Sequence, residues 1–233
     1  MDLRTGLETS AVIAGFLILG SYHIHLYYQL RRHPERTSIG VANRLRVQWA
    51  QVILDSNNGI LAVQTMRNLT MAATFLASTA IVISLGTLNL VLTSDRTSSI
   101  SVVLGLNDVH QWLLWVSRLL VLCADLLFCS FNFMLAVRYY NHIPFMLGQP
   151  AAGHTQPALH KPGLLIHLPA AEGLTTAVRS AADTLNRGAA HYTLGMRGYY
   201  FVVPLLLWLI GAMWFLAGAV LLVYFLHRID RAA

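Results

Sequence analysis

QWLLWVSRLLVLCADLLFCSFNFMLAV, residues Gln111 to Val137, is an apolar run whose only charges are Arg118 and Asp125. As an α-helix it exceeds the ~20 residues that cross a hydrocarbon core of ~30 Å. Gln111, Arg118, Asp125, Asn132 and Tyr139 follow one another at intervals of seven. A step of seven drifts only about 20° around a helix, so these five side chains make one nearly straight polar seam. Asp125 falls close to the middle of the run. At the centre of a span Arg118 and Asp125 cost about 2.5 to 3.5 kcal/mol each, against roughly −0.5 kcal/mol for each apolar neighbour, so the helix still inserts. Charges are far cheaper against other helices or a wet cavity than against lipid. The seam is therefore expected to turn inward.

The rest of the chain agrees with a lipid environment. Of its 233 residues 56% are hydrophobic and 11% charged, where a soluble domain carries about 25% charged residues. This balance excludes an ordinary soluble domain and an intrinsically disordered chain; aperiodic glycine and two cysteines exclude a collagen repeat and a disulfide scaffold. Three further runs are long enough to cross, near Ser10 to Leu30, Leu69 to Val91 and Tyr199 to Leu226. The expected fold class is all-α, an integral membrane four-helix bundle with cytoplasmic amphipathic helices. Residues 1–233 form a single membrane domain in this reading. The first run is led by Asp2, Arg4 and Glu8 rather than by a basic region and has no small-residue cleavage site, so it is expected to be a retained span, not a signal peptide.

Orientation follows from the basic residues. Connection 31–68 holds Arg31, Arg32, Arg36, Arg44, Arg46 and Arg67, and connection 138–198 holds Arg138, Lys161, Arg179, Arg187 and Arg197. Against these eleven, the other side has Arg4, Arg96, Arg228 and Arg231. Four spans then put both connections in the cytoplasm and both termini outside it, in the inner membrane if the host is bacterial. The basic residues flank spans, so the net charge of +6 is not a sign of nucleic-acid binding.

The connections carry structure of their own. Val41, Leu45, Trp49, Val52 and Ile53 recur at helical spacing between Ile39 and Leu54, with arginine and glutamine between them, which predicts an interfacial helix. Asn57, Asn58 and Gly59 interrupt it, and a new helical pattern starts at Ile60 and runs into the second span. In the other connection Pro150, Pro157, Pro162 and Pro169 with Gly148, Gly153 and Gly163 predict an irregular stretch. Leu174, Val178, Ala181, Leu185 and Tyr192 then mark a second amphipathic helix.

Two readings of the seam stand side by side. It lines an ion, proton or small-solute pathway, or it is a buried network that fixes helix register. Arg118 and Asp125 lie about 10 Å apart along the axis, too far to pair by spacing alone. Gln64, Asn68 and Thr79 on the second span, and Ser21, His25 and Tyr28 on the first, are polar residues that share a side. His23, nearly opposite His25, and His142, just past the third span, fall at similar expected depth, as bis-histidine haem ligation requires. His154, His160, His167 and His191 lack zinc-ligand spacing, and Cys123 and Cys129 lie within one apolar helix on different sides. No cofactor is expected, with haem as the alternative.

In the fourth run Pro204, Gly211, Gly218 and Phe225 recur by seven. Gly211 and Gly218 give a smooth strip for close helix packing, within the chain or between copies, and Pro204 is expected to kink the helix. The chain has no nucleophile elbow, phosphate-binding glycine loop, HExxH or CxxC motif, so no hydrolase, nucleotide or redox mechanism has support. The NLT sequon at Asn68 falls at the cytoplasmic start of a span, where glycosylation is not expected.

Several runs resemble a known family: YH at Tyr22 and His23, RTSIGVANRLRVQW from Arg36 to Trp49, NGILAVQTMRN from Asn58 to Asn68, RYYNH from Arg138 to His142, and LGMRGYYFVVPLLLW from Leu194 to Trp208. Together they are similar to the multipass membrane family of bacteria and plants catalogued as domain of unknown function 599. The resemblance covers nearly the whole chain and implies no activity and no catalytic residues. The expectation is a non-enzymatic multipass membrane protein whose seam lines a pathway. The alternatives are a structural or assembly subunit of a homo-oligomer or membrane complex, and a haem or metal carrier through His23 and His142. The lipid bilayer is the one partner common to all three.

Overall fold

The computed structural model describes residues 3–56, 58–93, 109–147 and 176–231. Among these residues the chain is all α. Six helices run in the order α1 Leu3–Arg32, α2 Ser38–Asp55, α3 Gly59–Thr93, α4 Val109–Leu147, α5 Thr176–Ile210 and α6 Ala212–Asp230. A 3₁₀ turn, Pro34–Arg36, joins α1 to α2. Thr37 then starts α2, its buried hydroxyl accepting the amide hydrogen of Gly40 and satisfying one free donor of the first turn. The expected helix between Ile39 and Leu54 is α2; it ends at Asp55, and α3 starts at Gly59, the last residue of the expected break, of which Asn57 lies outside the described residues. The proline-rich stretch after Gly148 lies outside the described residues.

Helices α3, α4 and α5 are longer than the spans read from hydropathy. Helix α4 has 39 residues, about 58 Å, nearly twice a hydrocarbon core. The amphipathic helix expected before the fourth span is, from Val178 on, not separate: it is the first half of α5 and continues into the apolar run, while Leu174 lies outside the described residues. Two cores result. One lies within the apolar spans, around Leu19, Ala73, Ala77, Leu126, Phe133, Leu205 and Phe215. The other lies where α2, the start of α3, the end of α4 and the start of α5 meet, around Ile53, Met66, Tyr140, Ile143, Ala181 and Leu185. Large apolar side chains on the outer faces, such as Phe75, Val82 and Leu92, are left exposed by the chain itself. Lipid is the solvent that suits them.

The principal departure from the sequence reading is in the fourth run. Gly211 is not helical, with φ 171° and ψ 161°, and it separates α5 from α6. Helix α5 passes through Pro204 without a break, so the interruption falls at the glycine instead of the proline. Beyond it α6 folds back along α5. A Cβ added to Gly218 would stand 3.2 Å from the Cα of Pro204. Five helices, rather than four, are long and apolar enough to cross a membrane. The four-span count takes one crossing where the chain makes a hairpin: 28 apolar residues make about 42 Å of helix, enough for one crossing, and the two arms reach crossing length only because α5 begins at Thr176 and α6 runs on to Asp230.

The ends of the chain move accordingly. Arg231, just past α6, forms a β-bridge with Thr37 at the corner between α1 and α2. The carboxyl end of α6 therefore lies at the end of the bundle where α1 finishes, here called the corner end. The amino end of α1 lies at the other, the turn end, where Gly211 sits.

Candidate functional site

The seam of α4 meets α5, which runs antiparallel to it. Gln111 is exposed at the turn end. Arg118 donates from Nη1 to the carbonyl of Trp208 at 3.1 Å, and its guanidinium lies 5.7 Å from the Trp208 ring centroid. Asn132, buried, donates to the carbonyl of Phe128 at 2.9 Å, and its Oδ1 accepts from His191 Nδ1 at 3.1 Å. Tyr139 stacks on the same imidazole, centroids 5.5 Å apart and planes 8° from parallel. Arg118 and Asp125 do not pair with each other; Arg118 uses a carbonyl and an aromatic face, both of which serve a cation.

Asp125 is different. Its Oδ1 lies 3.5 Å from where a Gly198 Cβ would be, and its Oδ2 is buried with no hydrogen-bond partner. Gly198 exists in that form because α4 and α5 come very close: a Cβ there would be 2.3 Å from Cys129 Sγ. Gly188 faces Tyr140 and Gly195 faces Phe133 in the same way. These three glycines, not Gly211 and Gly218, line the tightest approach between α4 and α5. The signal was present, since Ala181, Gly188 and Gly195 also recur by seven. Gly218 does permit close packing, but inside one chain, against Pro204 and Leu207, and Gly211 is the turn.

The other helices are tied by polar contacts of their own. Ser84 on α3 donates to the carbonyl of Cys123 on α4 at 3.2 Å, and Tyr199 on α5 donates to the carbonyl of Leu76 on α3 at 2.7 Å. The strongest tie joins α5, α6 and α1. Arg197 Nη2 donates to both carboxylate oxygens of Asp230 at 2.7 Å, and the Tyr22 hydroxyl donates to Asp230 Oδ2. Both charged residues are only 8% exposed. Removing one partner from such a pair leaves an uncompensated buried charge, at a cost of about 3 to 5 kcal/mol. Sequence reasoning missed this cluster. Arg197 reads locally as a connection cation, Asp230 carries no local signal, and only a hairpin about Gly211 brings them to one level.

The two histidines proposed as a pair are not brought together. His23 Nδ1 donates to the carbonyl of Leu19 at 2.8 Å, and its ring lies against Phe201 and Tyr22, centroids 5.1 and 5.4 Å away. His142 is exposed, next to Ile143, which belongs to the core containing Ala181 and Leu185. From Leu185 to Phe201 is sixteen residues of α5, about 24 Å of axis, so the two imidazoles stand at different heights. Among the described residues no three of His, Cys, Asp and Glu are grouped as a metal site.

The family model described as "Protein of unknown function, DUF599" matches residues 10–233. The chain belongs to this family. No curated protein and no solved structure matches it. The DUF599 match takes in every run quoted for the resemblance, the whole seam and the cluster of Tyr22, Arg197 and Asp230. The family description names no activity, and the five long apolar helices are consistent with a multipass membrane protein.

Proposed function

We propose that the chain is a non-enzymatic integral membrane protein of the structural or assembly kind, in which buried polar residues hold long helices in register. The observation that carries this reading is the α4–α5 seam: Arg118, Asn132 and Tyr139 each meet a particular group of α5. A polar residue at heptad spacing is the best-attested device for fixing register. The test is to replace Asn132 and His191 with leucine and compare thermal stability in detergent with ion flux in proteoliposomes. Lost stability with flux at the wild-type level supports the reading, and lost flux with stability retained overturns it.

Orientation belongs to the same proposal. With a hairpin at Gly211, Arg228 and Arg231 join the corner end. That makes thirteen Lys and Arg there or on the connections that reach it, against Arg4 and Arg96 on the other side, with Arg118 inside α4. Five crossings sharpen the asymmetry that four crossings gave. The corner end is then cytoplasmic, the amino terminus is outside and the carboxyl terminus is inside.

A second reading, an ion or proton pathway, is favoured by Asp125 alone. A carboxylate near the middle of a span with a buried, unpartnered oxygen is costly, and intramembrane ionisable residues commonly mark such paths. Asp125→Asn in proteoliposomes tests it. A pathway through this residue loses proton or cation flux, and unchanged flux ends the idea.

A further inference from the structure

The run Tyr199 to Leu226 has two ways to satisfy a bilayer. Straight, it crosses once and leaves the carboxyl terminus on the turn-end side. Folded at Gly211, with α5 extending it back to Thr176 and α6 on to Asp230, it gives two helices long enough to cross and returns the terminus to the corner end. Hydropathy does not choose between them. Gly211 does not choose either: its extended backbone is open to any residue, and an added Cβ would meet only Trp214 at an ordinary 3.7 Å.

We infer that the buried pair of Arg197 and Asp230, steadied by the Tyr22 hydroxyl, is a latch that selects the folded arrangement and so fixes the side on which the carboxyl terminus lies. Arg197 stands fourteen residues before Gly211 and Asp230 nineteen after it. They meet only if the run is bent there. In the straight arrangement they are 33 positions apart on one rod, about 50 Å, at opposite faces of the membrane. Arg197 is then left without its carboxylate among apolar helices, with Tyr22 and His23 near it. The bend brings the carboxylate to both. The site on α1 makes the choice an event of assembly, because the Tyr22 hydroxyl donates to Asp230 only after α6 has come back beside α1. The Thr37–Arg231 bridge then closes the end of α6 onto the corner between α1 and α2.

The inference rests on the orientation proposed above, and the experiment separates the two. A single cysteine is introduced by Ala233→Cys in the full chain, where the native Cys123 and Cys129 are buried. A membrane-impermeant maleimide is applied to intact cells and to opened membranes. In the wild-type background the terminus should be labelled only after opening. Labelling from outside in that background means that the orientation is wrong. Arg197→Gln and Asp230→Asn should each raise the externally labelled share several-fold, and the exchange Arg197→Asp with Asp230→Arg should bring it back down. Wild-type labelling in both single variants leaves the orientation standing and overturns the latch. Where a single variant fails to accumulate in the membrane, the exchange decides: recovery of protein and of internal labelling supports the pair, and failure to recover counts against it.

Discussion

Gly218 lies against Pro204 so closely that a Cβ on the glycine would stand 3.2 Å from the proline Cα and 2.8 Å from Leu207 Cδ1. This contact seals the α5–α6 hairpin. Gly218→Leu should therefore lower the melting temperature of the detergent-solubilised protein, by an overpacking cost of about 1 to 3 kcal/mol. Gly211→Ala, at a turn with extended backbone and open space, should melt close to wild type. Equal effects of the two substitutions would contradict the hairpin.

Gly198 and Cys129 make the closest approach between α4 and α5. Gly198→Ala should destabilise by about 1 to 3 kcal/mol, because Cys129 Sγ occupies the space the methyl group needs. Cys129→Ala in the same chain should restore much of the loss. A double-mutant cycle with no coupling would show that the helices relax around the methyl group in some other way.

Asn132 and His191 share one hydrogen bond across the same interface. Interhelical hydrogen bonds in membranes couple by about 0.6 kcal/mol on average. A cycle of Asn132→Ala and His191→Ala should return a coupling of that order, read from unfolding in mixed detergent. His191→Phe keeps a ring for Tyr139 to stack on and should cost less than His191→Ala.

Tyr22→Phe removes a hydroxyl bonded to a buried carboxylate and leaves the ion pair in place. A hydrogen bond to a charged group contributes about 1.5 to 3 kcal/mol. The variant should melt below wild type but above Asp230→Asn, which also deprives Arg197 of its partner. The reverse order would remove Tyr22 from the cluster.

Asp125 and Arg197 should respond in opposite directions to neutralisation. Asp125 has an oxygen without a partner, so Asp125→Leu relieves an uncompensated group and should raise the melting temperature. Arg197→Gln breaks an ion pair in which Nη2 holds both carboxylate oxygens of Asp230, and should lower the melting temperature through a stability loss of about 3 to 5 kcal/mol. Thermal scans of the two purified variants beside wild type make the comparison.

The sequence carried the elements further than their arrangement. Helix α2 was legible because Val41, Leu45, Trp49, Val52 and Ile53 repeat at helical spacing and Asn57 to Gly59 stop it. The seam was legible because a repeat of seven keeps Gln111 to Tyr139 on one face, and which helix it would meet was not. The turn at Gly211 was hidden because apolar residues flank it on both sides: a hairpin inside lipid needs no polar loop at its tip to announce it. Arg197 and Asp230 were hidden for a related reason. Each looks like a flank of a span when read locally, and their meeting depends on the turn between them.

Helix α5 is continuous from Thr176 to Ile210, anchored at the corner end in the core around Ile143 through Ala181 and Leu185 and carrying Arg197 and Trp208 farther along. A load on its outer half would be carried along one axis toward the guanidinium of Arg197 and the carbonyl that holds Arg118, with Pro204, which has no amide hydrogen to give, and then Gly211 as the places that can relieve it.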